Sequence, residues 1–143
     1  TLDFDFARVT EQSRDNSVFY VQYAHARACS VLRQAGEDAA AEGAMDRLDH
    51  LAEMEVLRHL ASWPKLVISA ANAHEPHRIA FFLMDLAASF HALWTAGREA
   101  PELRFIREDD AALTAARLRL VKATALVIRS GLGVLAIEAR EEM

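Results

Sequence analysis

Cysteine, proline and glycine are all scarce in this chain, with one, three and five copies among 143 residues. The lone thiol, Cys29, cannot close an internal disulfide; it points to a reducing, intracellular compartment and reads as a small apolar core residue. So little Gly and Pro excludes fibrous and low-complexity chains. The glycines nowhere cluster behind a strand, which excludes a phosphate-cradling loop. No apolar run approaches the roughly 20 residues that cross a bilayer, and residues 1–6 carry acids where a secretory signal carries Lys or Arg. Cations are in deficit, and a formal charge of -5 argues against drawing in DNA or RNA through the field of the whole molecule. The expectation is a soluble cytoplasmic protein that contacts neither membrane nor DNA, in which any RNA contact rests on a local patch. A first residue other than Met suggests a piece of something longer.

What the chain does have is a hydrophobic share of 52% set in helical register, with 26% charged residues. That mixture suits one domain able to remove about two-thirds of its unfolded surface from water. Only residues 2–6 alternate like a strand, too briefly for a sheet; residues 1–16 read as a connector and 17–143 as one helical domain. Asn16 or Ser17 caps a first helix whose stripe holds Val18, Val21, Ala28 and Leu32 and which stops at Gly36. Residues 37–44, rich in alanine, read as a loop or frayed turn. A second helix covers residues 46–63 through Leu48, Leu51, Met54 and Leu57; Pro64 ends it and opens a short third helix with Leu66, Val67 and Ala70. Pro76 opens the most regular helix, in which Ile79, Phe82, Leu83, Leu86, Phe90 and Leu93 form one buried face until Gly97. Residues 98–108 form a charged loop. The last helix starts near Asp109 or Asp110, buries Leu113, Ala116, Leu120, Val127 and Ile128, and is loosened by Gly131 and Gly133. The fold class predicted is all-α, a bundle of four to five helices.

The search for chemistry finds no catalytic residues: neither a nucleophile with its base nor a glycine-rich phosphate loop is legible. His74, Glu75 and His77 lie close together, but Pro76 breaks the register that sets two imidazoles on one face, so no metal site is expected. His25 reads as a core or seam histidine, His50 and His59 as solvent-facing. Between Leu113 and Ile137 the cations Arg117, Arg119, Lys122 and Arg129 occur with no acid among them. Arg119, Lys122 and Arg129 share the outward side; they form either a solvated face or a grip on phosphates. Phe90 and Trp94 project from one face near the end of the Pro76 helix, where they are either core or platforms for unpaired bases.

The run from Glu11 to Arg27, and above all YVQYAHAR within it, resembles the passage by which arginyl-tRNA synthetases leave their class I catalytic domain for the C-terminal anticodon-binding domain. Pro76-His77-Arg78-Ile79-Ala80, Ala115-Ala116-Arg117-Leu118-Arg119-Leu120-Val121 and the stretch from Gly131 to Ile137 follow in the same order. The resemblance implies a helical domain, of the type called DALR, that grips the anticodon stem and loop of arginine tRNA, with cytosine as the middle anticodon base. It implies a parent enzyme that esterifies the tRNA using ATP and Mg²⁺, while this piece needs no cofactor of its own. It places Phe90, Trp94 and Met143 at the anticodon, Phe90 standing where relatives often carry tyrosine. Arg119, Lys122 and Arg129 are assigned to the RNA backbone. Tyr20, Gln22, Tyr23, His25 and Arg27 are assigned to a seam with the parent's catalytic domain. The competing readings are a helical module that docks a partner protein and an anticodon domain of another synthetase, such as the glycine enzyme.

Overall fold

In the computed structural model, which describes residues 16–36 and 45–143, the first helix, α1 (Ser17–Ala35), begins where Asn16 supplies a cap. Its Oδ1 accepts from the backbone N–H groups of Val18 (3.1 Å) and Phe19 (3.4 Å). The helix stops at Gly36, whose φ of 85° is open to glycine at no steric cost and whose N–H closes on the Leu32 carbonyl. The expected connector, apart from Asn16, and the alanine-rich segment 37–44 lie outside the described residues.

A short 3₁₀ turn, Met45–Arg47, takes up the start assigned to the second helix, so α2 (Leu51–Ala73) begins later than expected. The reason is a capping box: His50 Nδ1 accepts from Ala52 N–H at 3.1 Å, and Glu53 accepts from His50 N–H at 3.2 Å. Pro64 does not end this helix. It lies inside α2, which runs on to Ala73 and stops at His74, held in the left-handed region with φ 56°. A proline there forfeits a backbone bond and crowds the carbonyl one turn back. Val56, Leu60 and Trp63 before it and Leu66 and Ala70 after it pack into the core, and that burial outweighs the local cost. The bundle therefore has four α-helices among the described residues, and no separate short helix follows Pro64.

The central helix, α3 (His77–Glu99), contacts the other three. By length and composition it is apolar enough to cross a membrane, so the expectation that no segment approaches that length fails for this helix. Half of the apolar window is buried inside the bundle, as in the core helix of a globular domain. The helix passes Gly97 without stopping, because a Cβ there would meet the Leu103 carbonyl oxygen at 3.0 Å; the bare glycine lets the following 3₁₀ turn, Pro101–Leu103, lie against it. The last helix, α4 (Ala111–Val134), also continues through Gly131, where an added Cβ would come within 2.7 Å of buried Leu83. Close approach of α4 to α3, not a loosened end, explains that glycine.

Asp110 starts α4 as expected: its carboxylate accepts from Leu113 N–H at 3.1 Å and pairs with Arg47 at 2.5 Å. The backbone N–H first and the guanidinium second lower its pKa from the ordinary 3.8. A lowered folded-state pKa means that the carboxylate stabilises the fold above the unfolded value, and that the contribution fades as pH falls through the folded value. The Asp110→Asn variant is therefore expected to melt earlier than the parent at pH 7, with the difference shrinking below about pH 4; parallel melts at pH 7 and pH 3 check it.

One polar contact crosses the core. Arg117 of α4, only 4% exposed, donates from Nε to Glu53 (1% exposed) at 2.5 Å. Its Nη1 donates to the carbonyls of Glu102 (2.7 Å) and Arg104 (2.9 Å). One guanidinium thus ties the start of α2 to the segment after α3, with both charges partnered out of water.

Candidate nucleic-acid interface

Along α1, residues Tyr23, Arg27, Ser30 and Gln34 recur at three- and four-residue spacing, a polar stripe beside the apolar one. The stripe faces the C-terminal end of α3, where Trp94 is half-buried and Arg98 exposed. The Arg27 guanidinium lies between two rings, 4.3 Å from the Tyr23 centroid and 4.9 Å from that of Trp94. It donates to the Tyr23 hydroxyl (3.0 Å) and to His91 Nδ1 (2.9 Å). Because His91 Nδ1 accepts, its Nε2 carries the hydrogen and donates to the Tyr20 carbonyl at 3.3 Å. Trp94 is thereby held by a cation–π contact and a chain of hydrogen bonds anchored in α1.

The segment after α4 is strapped onto α1. Gln22 donates to the Glu138 carbonyl (2.9 Å), His25 Nδ1 to that of Arg140 (2.7 Å), and Arg33 to that of Glu141 (3.2 Å), while Arg129 pairs with the Glu141 carboxylate at 2.8 Å. This strap delivers Met143, 45% exposed, to a depression of about 500 Å³ lined also by Tyr23, Arg27, Arg33, Trp94 and Arg98. Cys29 lies beside the strap and is half-buried rather than part of the core; burial first, and Glu141 second, push its thiol pKa up, so it stays protonated and a poor nucleophile.

The structure brings together two of the three residues expected at the anticodon. Trp94 and Met143 line one depression; Phe90 does not. Phe90 is 0% exposed and stacked on Phe105 at 5.7 Å, so it offers no face to a base and instead supports the ring above it. The loop after α3 covers the turn in which Phe90 sits and leaves the next turn open. Arg119, Lys122 and Arg129 are exposed on α4, as their spacing predicts, and Arg129 reaches the strap; none of the three lines the Trp94 depression. Tyr20, Gln22, Tyr23, His25 and Arg27, expected at a seam, all have partners within the chain, because α1 packs between α3, α4 and the strap. His50 is exposed, whereas His59 is half-buried with its ring edge toward Phe82. Sequence reasoning passed over Arg33, Arg98 and Arg104 and gave Tyr23 and Arg27 another task. The stripe on α1 was the available signal for those on the first helix. Nothing local marks the meeting of Arg27 with Trp94, which is made across two helices.

Among the described residues, a four-helix bundle holds a half-buried tryptophan among arginines and glutamates, a helical domain with a candidate binding face. The chain belongs to the DALR anticodon binding domain family, whose pattern matches residues 21–143. It is 55% identical, over 99% of its length, to the arginine–tRNA ligase of Xanthobacter autotrophicus and, over the same share, 55% identical to that of Rhodospirillum rubrum. It covers 26% of each, so the chain spans about a quarter of the length of the curated relatives it matches. Among solved structures, the arginyl-tRNA synthetase of Thermus thermophilus superposes with a TM-score of 0.75 at 33% identity, over 99% of this chain and 23% of that one.

Proposed function

We propose that this chain is the anticodon-recognising part of a cytoplasmic arginine–tRNA ligase, and that its partners are the anticodon stem and loop of arginine tRNA and the catalytic portion of the same enzyme. The observation that carries this reading is the likeness to arginine–tRNA ligases across 99% of the chain. The depression around Trp94 suits the task. An unpaired base stacks against the indole, which Arg27 holds in place, Met143 closes one side, and Arg33 and Arg98 meet phosphates. Arg119, Lys122 and Arg129 on α4 extend the cationic surface toward the stem. Cations set the position of the RNA, and contacts to base edges set the choice. The ATP- and Mg²⁺-dependent chemistry belongs to other parts of such an enzyme, since no phosphate loop or nucleophile is legible in these residues.

Titration of the full chain with an arginine anticodon stem-loop tests the reading. The expected result is tight binding that weakens steeply with salt, with a log–log slope of about -2 for three neutralised phosphates on single-stranded RNA. Replacing the middle cytosine is expected to abolish most of the affinity. Equal binding of a stem-loop with an unrelated middle base overturns the assignment, and binding to a protein ligand with little salt dependence points to a protein-docking module instead.

A further inference from the structure

The surface assigned to RNA carries its own anions. Glu141 and Glu142, on the strap after α4, line the same depression of about 500 Å³ as Trp94, Arg33 and Arg98. Both carboxylates face cations assigned to phosphate: Glu141 pairs with Arg129 at 2.8 Å, and Glu142 stands 3.9 Å from Arg33. Arg129 comes from α4 and Arg33 from α1, so the tertiary fold makes these pairs, not one helical turn. Nor do the carboxylates hold the strap in place. That is done through its backbone, where Gln22, His25 and Arg33 donate to the carbonyls of Glu138, Arg140 and Glu141. The two glutamate side chains are 62% and 84% exposed, and ion pairs so open to water add little to stability.

A carboxylate and a phosphate are alternative acceptors for the same guanidinium. We propose that the strap is a built-in competitor for RNA phosphates, an autoinhibitory contact in which Glu141 and Glu142 occupy Arg129 and Arg33 in the free domain. A phosphate reaches either guanidinium only by displacing its carboxylate, and the exchange cancels part of what the new contact gains. Stacking on Trp94 involves no such exchange. An RNA that offers phosphates alone therefore meets two cations already neutralised, whereas a loop that also lays a base on the indole has a second source of affinity with which to turn the carboxylates aside. This inference rests on the anticodon reading above and deepens it.

The test measures affinity of the full chain for an arginine anticodon stem-loop over a range of salt concentrations, in the parent and in a Glu141→Gln/Glu142→Gln variant. The variant is expected to bind about 2- to 30-fold more tightly, the span of two exposed ion pairs. Its log–log salt slope is expected to be steeper by up to about 0.7 for each carboxylate removed. Arg33→Ala is expected to weaken binding more in the variant than in the parent, because only there does a phosphate meet Arg33 without a rival. Glutamine leaves the backbone anchors intact, so the strap is expected to stay seated and the melting temperature to match the parent's; if it falls, Glu142→Gln alone carries the same comparison. As a control, Glu55→Gln/Asp85→Asn removes two exposed charges outside the depression and is expected to bind like the parent, because salt screens distant exposed charges. Binding by the glutamine variant that is unchanged or weaker overturns the proposal and leaves the anticodon reading intact. So does an equal gain in the control, or an Arg33→Ala loss that is the same in both backgrounds. A stem-loop bound by neither parent nor variant removes both.

Discussion

Replacing Trp94 with alanine is expected to weaken binding of an arginine anticodon stem-loop by about 5- to 150-fold, the span corresponding to roughly 1–3 kcal/mol for one stacked base. The indole is half-buried and carries its own neighbours: the Arg27 guanidinium at 4.9 Å and the Phe105 ring at 6.2 Å. Its loss therefore also releases Arg27 from one of its two rings, at a cost in stability of about 0.5–1 kcal/mol for the cation–π contact. Two controls separate recognition from folding. Trp94→Phe retains a flat face and is expected to keep most of the affinity. Phe90→Ala removes a ring that is 0% exposed and is expected to cost about 3–5 kcal/mol of stability, because it leaves a cavity under Phe105. Affinity that survives Trp94→Ala unchanged, measured by fluorescence anisotropy of a labelled stem-loop, contradicts the stacking role.

The second large effect is on stability. Arg117→Met is expected to destabilise the domain by about 3–5 kcal/mol, since it strands the Glu53 carboxylate, 1% exposed, without its counter-charge and removes the Arg117 donor from the carbonyls of Glu102 and Arg104. For a domain of this size that corresponds to a fall in Tm of roughly 10 °C. Adding Glu53→Gln to the first change removes the stranded charge and is expected to recover part of the loss. The amide still accepts from His50 N–H, so the capping box of α2 survives. Calorimetry on the two single variants and the double variant yields the coupling directly. A single Arg117→Met variant as stable as the parent excludes the buried pair as a structural tie.

Arg117 and Arg119 show where reading the sequence reaches its limit. Both are cations on α4, two positions apart, and helical geometry puts them about 200° apart around the axis, so only one can face solvent. The pattern of Leu120 and Val127 orients Arg119 outward. It does not reveal that Arg117 points inward onto an acid 64 positions away. Pro64 illustrates the converse, a strong local signal overruled. Taken alone it ends a helix, yet apolar side chains before and after it are buried, and the helix continues. Phe90 and Trp94 stand one turn apart on the same stripe. Their separation into a core residue and an interface residue depends on Phe105, which arrives from a loop and closes over the first of them.

The sequence by itself determined the all-α class, the buried stripe of α3 and, through the YVQYAHAR passage, the family, and it narrowed the cap of α1 to Asn16 or Ser17 and the start of α4 to Asp109 or Asp110. These are short-range properties: a cap reaches two or three residues, and a helical stripe repeats every three or four. Only the tertiary structure decided that Phe90 is core while Trp94 borders a depression lined by arginines and glutamates, that Arg27 reaches that tryptophan, and that Glu53 finds Arg117. Each of those outcomes is a contact between helices far apart in the chain, and such contacts are fixed by how whole faces pack, which no local spacing encodes.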